Sequence, residues 1–194
     1  MRSDGTPPRS APQVFWGEMA PCDHVVQIYG DDQVFLDGLS GYVATALRSG
    51  DAAIVIATPA HLKGVEERLG DHGVELEAAR HQQRYVTRDA EEMIGEFLVD
   101  GWPDEARFRR VVGELIGLAR GDRGRAVRAF GEMVALLWAQ GAIAATLELE
   151  RLWTAMCEQE HFPLFCAYPR SGFTRNAAES LRDICRAHAR VAPG

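Results

Sequence analysis

Two short segments put metal-ligating residue types close together: Cys22-Asp23-His24 near one end of the chain and Cys185-Arg186-Ala187-His188 near the other. Thiolate and imidazole groups at this spacing can hold zinc or a similar cation when four donors converge. The two segments lie far apart in the chain, and no pattern in the sequence brings them together. The expectation is therefore no metal and no other cofactor, with buried or helix-terminal cysteines and ordinary histidines instead. Glu158-Gln159-Glu160-His161 reverses the order a zinc-protease helix needs and reads as a solvated helix end.

Carboxylates and phenols form a second set. Glu132 follows the apolar run Ala129-Phe130-Gly131 and precedes Met133, so it is expected to be partly enclosed, where an unpaired charge is costly. An Arg such as Arg88 or Arg170, the amino end of the next helix, or a bound ligand would each satisfy it. Asp31 and Asp32 read as a helix cap and a solvated neighbour. Tyr29 and Tyr168 end strands with phenols suited to lining a pocket. Cys166 sits mid-strand and reads as a small buried hydrophobe.

Catalytic signatures are missing. The chain has no C-x-x-C pair, no nucleophile elbow and no zinc-protease helix. A phosphate-binding loop would be expected after the first strand, rich in glycine and closed by Lys and a hydroxyl residue. The segment there reads Tyr29-Gly30-Asp31-Asp32-Gln33-Val34-Phe35-Leu36, with one Gly, no Lys, no Ser or Thr and two carboxylates that repel a triphosphate. Lys63 is the only lysine among 21 basic residues, and the dinucleotide fingerprint is also absent.

The elements that must position these groups alternate in type. Strands are predicted at Val25–Tyr29, Ala52–Ala57, Arg84–Thr87, Ala126–Phe130 and Leu164–Tyr168 from short β-branched and aromatic runs. Helical periodicity fills the gaps, from a cap at Asp31 or Asp32 through the apolar face Val34 to Leu47 and up to Gly50-Asp51, then over Pro59 to His72, Ala90 to Val99, Pro103 to Arg120, Val134 to Gln140 and Ala142 to Glu160, with a closing helix from Asn176 to His188. The expected fold class is α/β: a three-layer sandwich around a mainly parallel sheet of at least five strands. Residues 1–21 read as a flexible arm and 22–194 as the domain, although the Val14-Phe15-Trp16 patch could dock on the domain or on a partner. Ligands of such a sheet bind outside the strand carboxyl ends.

Composition narrows the class. With 46% hydrophobic residues in 194, the chain can bury a real core. The formal net charge of −7 argues against nucleic acid or an anionic membrane surface as a partner. Unpaired cysteines and the absence of an export or membrane-spanning pattern lead to the expectation of a cytoplasmic protein.

His24-Val25-Val26-Gln27-Ile28-Tyr29 with Asp31-Asp32 and Phe35-Leu36, Gly50-Asp51 with Ile54-Val55-Ile56, Gly131-Glu132-Met133, Leu164-Phe165-Cys166-Ala167-Tyr168, and Ile184-Cys185 with His188 form an ordered set. The set resembles the MEDS domain (methanogen/methylotroph, DcmR-type sensory domain), from His24 to about Tyr168 and on to His188. The resemblance implies a RecA/KaiC-like fold without a P-loop, used as a sensory module for small molecules such as hydrocarbon derivatives. Family-typical positions carried over are His24, Tyr29, Asp31, Glu132, Met133, Cys166 and Tyr168. Of these, His24, Tyr29, Asp31, Glu132, Met133 and Tyr168 are the expected ligand-binding residues, with no catalytic and no metal residues. No output domain is recognised in the chain, so its signal is expected to pass through a protein partner, with a homo-oligomer as a further possibility. Two other readings stay open: a degenerate nucleotide-binding protein or ATPase, and a pure interaction protein regulating a kinase or sigma-factor pathway.

Overall fold

The computed structural model describes residues 16–122, 124–173, 182, 184–185, 188 and 190–192. The strand β2 (Ala52–Ala57) is buried along all six residues, as an unbroken apolar run between two helical layers requires. Its side chains alternate: Ala52, Ile54 and Ile56 enter one core, and Ala53, Val55 and Ala57 the other. Around it the sheet runs in the order β3 (Tyr85–Asp89), β2, β6 (Val127–Gly131), β7 (Leu164–Pro169), β1 (His24–Tyr29), β8 (Arg190–Ala192). Every pairing in this sheet is parallel.

Handedness sorts the helices into layers. The chain moves one way across the sheet from β1 through β2 to β3, by way of α1 (Asp32–Arg48), α2 (Pro59–Asp71) and α3 (Leu76–His81). It then moves back through β6 and β7, by way of α4 (Ala90–Phe97), α5 (Glu105–Arg120), α6 (Met133–Ala139) and α7 (Ile143–Glu160). Right-handed crossovers in opposite directions must lie on opposite faces. The two apolar cores divide accordingly, one holding Phe35, Leu39, Tyr42 and Phe165, the other Phe108, Ile116, Trp153 and Cys166.

Between α4 and α5 lies a small antiparallel hairpin, β4 (Leu98–Val99) and β5 (Trp102–Pro103). Its two-residue turn, Asp100-Gly101, has φ of 51° and 78°, the left-handed pair a tight hairpin needs. The expected strands appear within two residues of their expected ends. Helix α3 and strand β8 add to the expected elements; six and three residues are too few for a periodic signal. The expected closing helix lies for the most part outside the described residues.

The expected arm over residues 1–21 enters the described residues only at Trp16. Its first fifteen residues lie outside the described residues, but Trp16 is only 2% exposed. The indole meets Tyr42 edge-on at 5.2 Å and Phe165 at 4.8 Å between centroids, over the space left by Gly41 on α1. Its backbone carbonyl accepts a 2.6 Å hydrogen bond from Arg128, which also pairs with Asp51 at 3.1 Å. A large aromatic fitted into a core gap belongs to the packed domain. Among the described residues, no helix is long and apolar enough to cross a membrane.

Candidate functional site

Three strands deliver polar groups to the carboxyl edge of the sheet. Glu132 follows β6, and its backbone N–H donates to Ile56 at the end of β2, 2.9 Å away. The side chain does not cap its own helix; it reaches across to accept from the Thr58 backbone N–H at 2.8 Å. Its other oxygen pairs with His61 Nδ1 at 2.7 Å. The expected arginine partner is not Arg88, which pairs with Glu96 on α4. At the end of β1, Tyr29 stacks on Phe35 at 4.6 Å, and Phe35 meets the His61 ring edge-on at 5.0 Å. Asp31 caps α1 by accepting from the Gln33 N–H at 2.7 Å, as expected. A buried carboxylate, an imidazole 18% exposed and two stacked aromatics thus share one corner.

The hydrogen bond to Glu132 lifts the His61 pKa above its ordinary 6.5, against an opposing effect of burial; the charges of Glu132 and Asp32 add to the rise. A raised folded-state pKa contributes stability that is complete below the unfolded value and drains away as pH climbs through the folded one. Tyr29 faces the same corner, its phenol pushed up by burial and by the Glu132 and Asp32 carboxylates. Urea unfolding of wild type and His61→Asn, compared from about pH 5 to about pH 9, will show the wild-type advantage shrinking above about pH 6.5. A constant difference across that range would mean the imidazolium pair contributes nothing.

The second group lies beneath α7. His24 opens β1 and Cys166 sits mid-β7; the parallel register sets His24 opposite Leu164, so Cys166, two residues on, projects to the same face. Helix α7 covers that face with Glu150 and Thr154, one turn apart. His24 Nδ1 lies 3.1 Å from Thr154 Oγ1, and its Nε2 is 3.3 Å from both Cys166 Sγ and Glu150 Oε2. His188 Nδ1 donates to the Ile184 carbonyl at 2.7 Å, and its Nε2 faces Glu150 Oε2 at 3.5 Å. The two imidazole rings are 4.0 Å apart. Tyr168 donates its hydroxyl to Glu150 Oε1.

Burial dominates the electrostatics of this group. It pushes the Glu150 carboxyl and the Cys166 thiol up, and the His24 imidazole down, so each favours its neutral form. For Glu150, His188 and the Tyr168 hydrogen bond pull the other way. Tyr168 is pushed up as well, chiefly by burial and then by Glu150.

The six residues expected to bind ligand therefore fall into separate places. Tyr29, Asp31 and Glu132 share the carboxyl edge. Alternation along β7 sends Tyr168 under α7 with Cys166, so it does not wall that edge. Met133 is fully buried, packed in the core at the start of α6. His24 and His188 do meet, though their segment partners Cys22 and Cys185 lie outside the group; Cys22 contacts His161 Nδ1 at 3.5 Å instead. Glu150 and His61 are not among the expected ligand-binding residues, although His61 belongs to the strand-end loop that follows Ala57. Glu150 left a trace in the sequence: it shares a helix face with Thr146, Trp153 and Cys157, where a lone carboxylate in an apolar stripe is conspicuous.

A surface cavity of about 320 Å³ lies at the opposite, amino-terminal edge of the sheet, beside Leu47, Arg48, Val74 and Arg84. Its arginines donate to the His72 and Leu47 carbonyls, so they brace loops. The MEDS family model, described as "MEthanogen/methylotroph, DcmR Sensory domain", matches residues 23–189, a span that contains both polar groups. A search of curated proteins found none that matches.

Proposed function

The chain belongs to the MEDS sensory-domain family, and we propose from that premise that it is a noncatalytic receptor for a small organic ligand, bound at the carboxyl edge beside Glu132 and His61. The observation that carries this reading is how that edge is already satisfied. Amino ends of helices are natural anion sites. Here Asp31 takes the Gln33 N–H and Glu132 takes the Thr58 N–H, so carboxylates of the protein stand where phosphate oxygens would go. What the corner offers is a partly exposed, hydrogen-bonding imidazole above the buried Tyr29–Phe35 stack, suited to a small molecule with one polar group and a short hydrocarbon part. Descent from a RecA/KaiC-type nucleotide fold that lost its cationic loop is part of this reading. So is output through a protein partner, by a ligand-dependent shift in the loops at this edge.

Thermal-shift measurements with short alcohols, amines and halogenated hydrocarbons test it. At least one class is expected to raise the midpoint of wild type and to lose that effect in Glu132→Gln and His61→Asn. Equal shifts in all three proteins would move the ligand elsewhere. Calorimetric binding of ATP with magnesium at submillimolar affinity would overturn the reading in favour of a nucleotide-binding protein.

A further inference from the structure

The group beneath α7 is not used by that proposal, and its geometry is that of a cation site. Its four donor atoms, His24 Nε2, Glu150 Oε2, Cys166 Sγ and His188 Nε2, lie within 4.8 Å of one another. Three of the separations are 3.3, 3.3 and 3.5 Å. A tetrahedron with metal–ligand bonds of about 2.0–2.3 Å has edges of roughly 3.3–3.8 Å. Both imidazoles are oriented from behind, His188 by the Ile184 carbonyl and His24 by Thr154, which turns each Nε2 inward. Metal-bound histidines are held in just this manner by their outer nitrogen.

A second observation points the same way. Glu150 Oε2 and His188 Nε2 are both buried and neither makes a hydrogen bond. Because His188 Nδ1 carries the proton given to Ile184, its Nε2 presents a lone pair to a carboxylate oxygen 3.5 Å away. Two acceptor lone pairs facing each other in a dry core need a positive charge between them, which a proton on Glu150 supplies in the metal-free protein and a bound cation would supply in its place.

We infer that His24, Glu150, Cys166 and His188 bind a divalent transition-metal cation of the zinc type. Nitrogen and sulfur donors favour such an ion over magnesium or calcium. The dication balances one carboxylate and one thiolate, so the buried group becomes neutral; the thiol proton, and any proton on the carboxyl, leaves to solvent as the metal enters. Four protein ligands complete the coordination, which marks a structural site. The ion would fasten the segment carrying His188 to β1, from the start of the domain, and to the consecutive elements α7 and β7.

Protein produced without a histidine tag, incubated with zinc and dialysed, is expected to retain one equivalent of metal by elemental analysis. Cobalt in place of zinc should give a thiolate-to-cobalt charge-transfer band in the near ultraviolet. That band is expected to vanish in Cys166→Ser and to persist in Cys22→Ser. Tyr168→Phe, which removes only the hydroxyl on Glu150, should weaken zinc binding by roughly 10- to 100-fold. Should Cys166→Ser fail to fold, X-ray absorption on the wild-type zinc protein decides, with one sulfur and three nitrogen or oxygen neighbours expected. Folded wild-type protein that keeps no stoichiometric zinc or cobalt overturns the inference, as does a cobalt–sulfur band unchanged in Cys166→Ser. Neither result bears on the Glu132 corner, whose ligand is tested separately.

Discussion

Glu150→Ala will lower the unfolding free energy by about 3–5 kcal/mol, the range for removing one member of a buried polar pair. The carboxylate is fully buried, accepts the Tyr168 hydroxyl and faces both imidazoles. Alanine leaves that hydroxyl without its acceptor and opens a cavity that the core around Trp153 and Cys166 closes only in part. Glu150→Gln keeps an acceptor for Tyr168 and should cost less. Glu148 lies two residues away, toward solvent, where it pairs with Arg151. Glu148→Ala is expected to change stability by less than about 1 kcal/mol. Urea unfolding midpoints at unchanged slope measure all three. An equally small effect at Glu150 would show that the group contributes little to the fold.

Trp16→Ala is expected to cost about 3–5 kcal/mol, as for other large aromatics cut back in a core. The indole fills the gap above Gly41 between Tyr42 and Phe165, and no described side chain is placed to replace it. A chain starting at Cys22 should lose at least as much, because Arg128 also loses the Trp16 carbonyl. Fluorescence-monitored denaturation of the two variants checks this. A midpoint unchanged by truncation would return residues 16–21 to the status of an arm.

Much of the fold was legible beforehand. The unbroken apolar run Ala52–Ala57 predicts a central strand, and the observed limits are the same. The loop after β1 carries two carboxylates and no lysine, and Asp31 caps α1 as expected. The sites were less legible. The place of Glu132 after an apolar strand requires a partner, and the structure supplies His61, from a strand end whose histidine has no distinguishing neighbours in the chain. Tyr168 and Met133 sit near strand ends, which is why the sequence suggests them for a pocket. The direction of their side chains depends on which face of the sheet each helix covers.

By itself the sequence determined local matters: where strands and helices run, which segments are buried on both faces, which helices are capped by their own carboxylates, and that no lysine-bearing phosphate loop follows β1. These follow from side-chain periodicity and cap chemistry within a few residues. Only the tertiary structure decided that His24, Glu150, Cys166 and His188 share one enclosure. Their meeting depends on β1 lying beside β7 in one register and on α7 crossing that face. The reason is physical: periodicity reports which side of an element is apolar, whereas contact between distant residues is set by strand order and the handedness of crossovers.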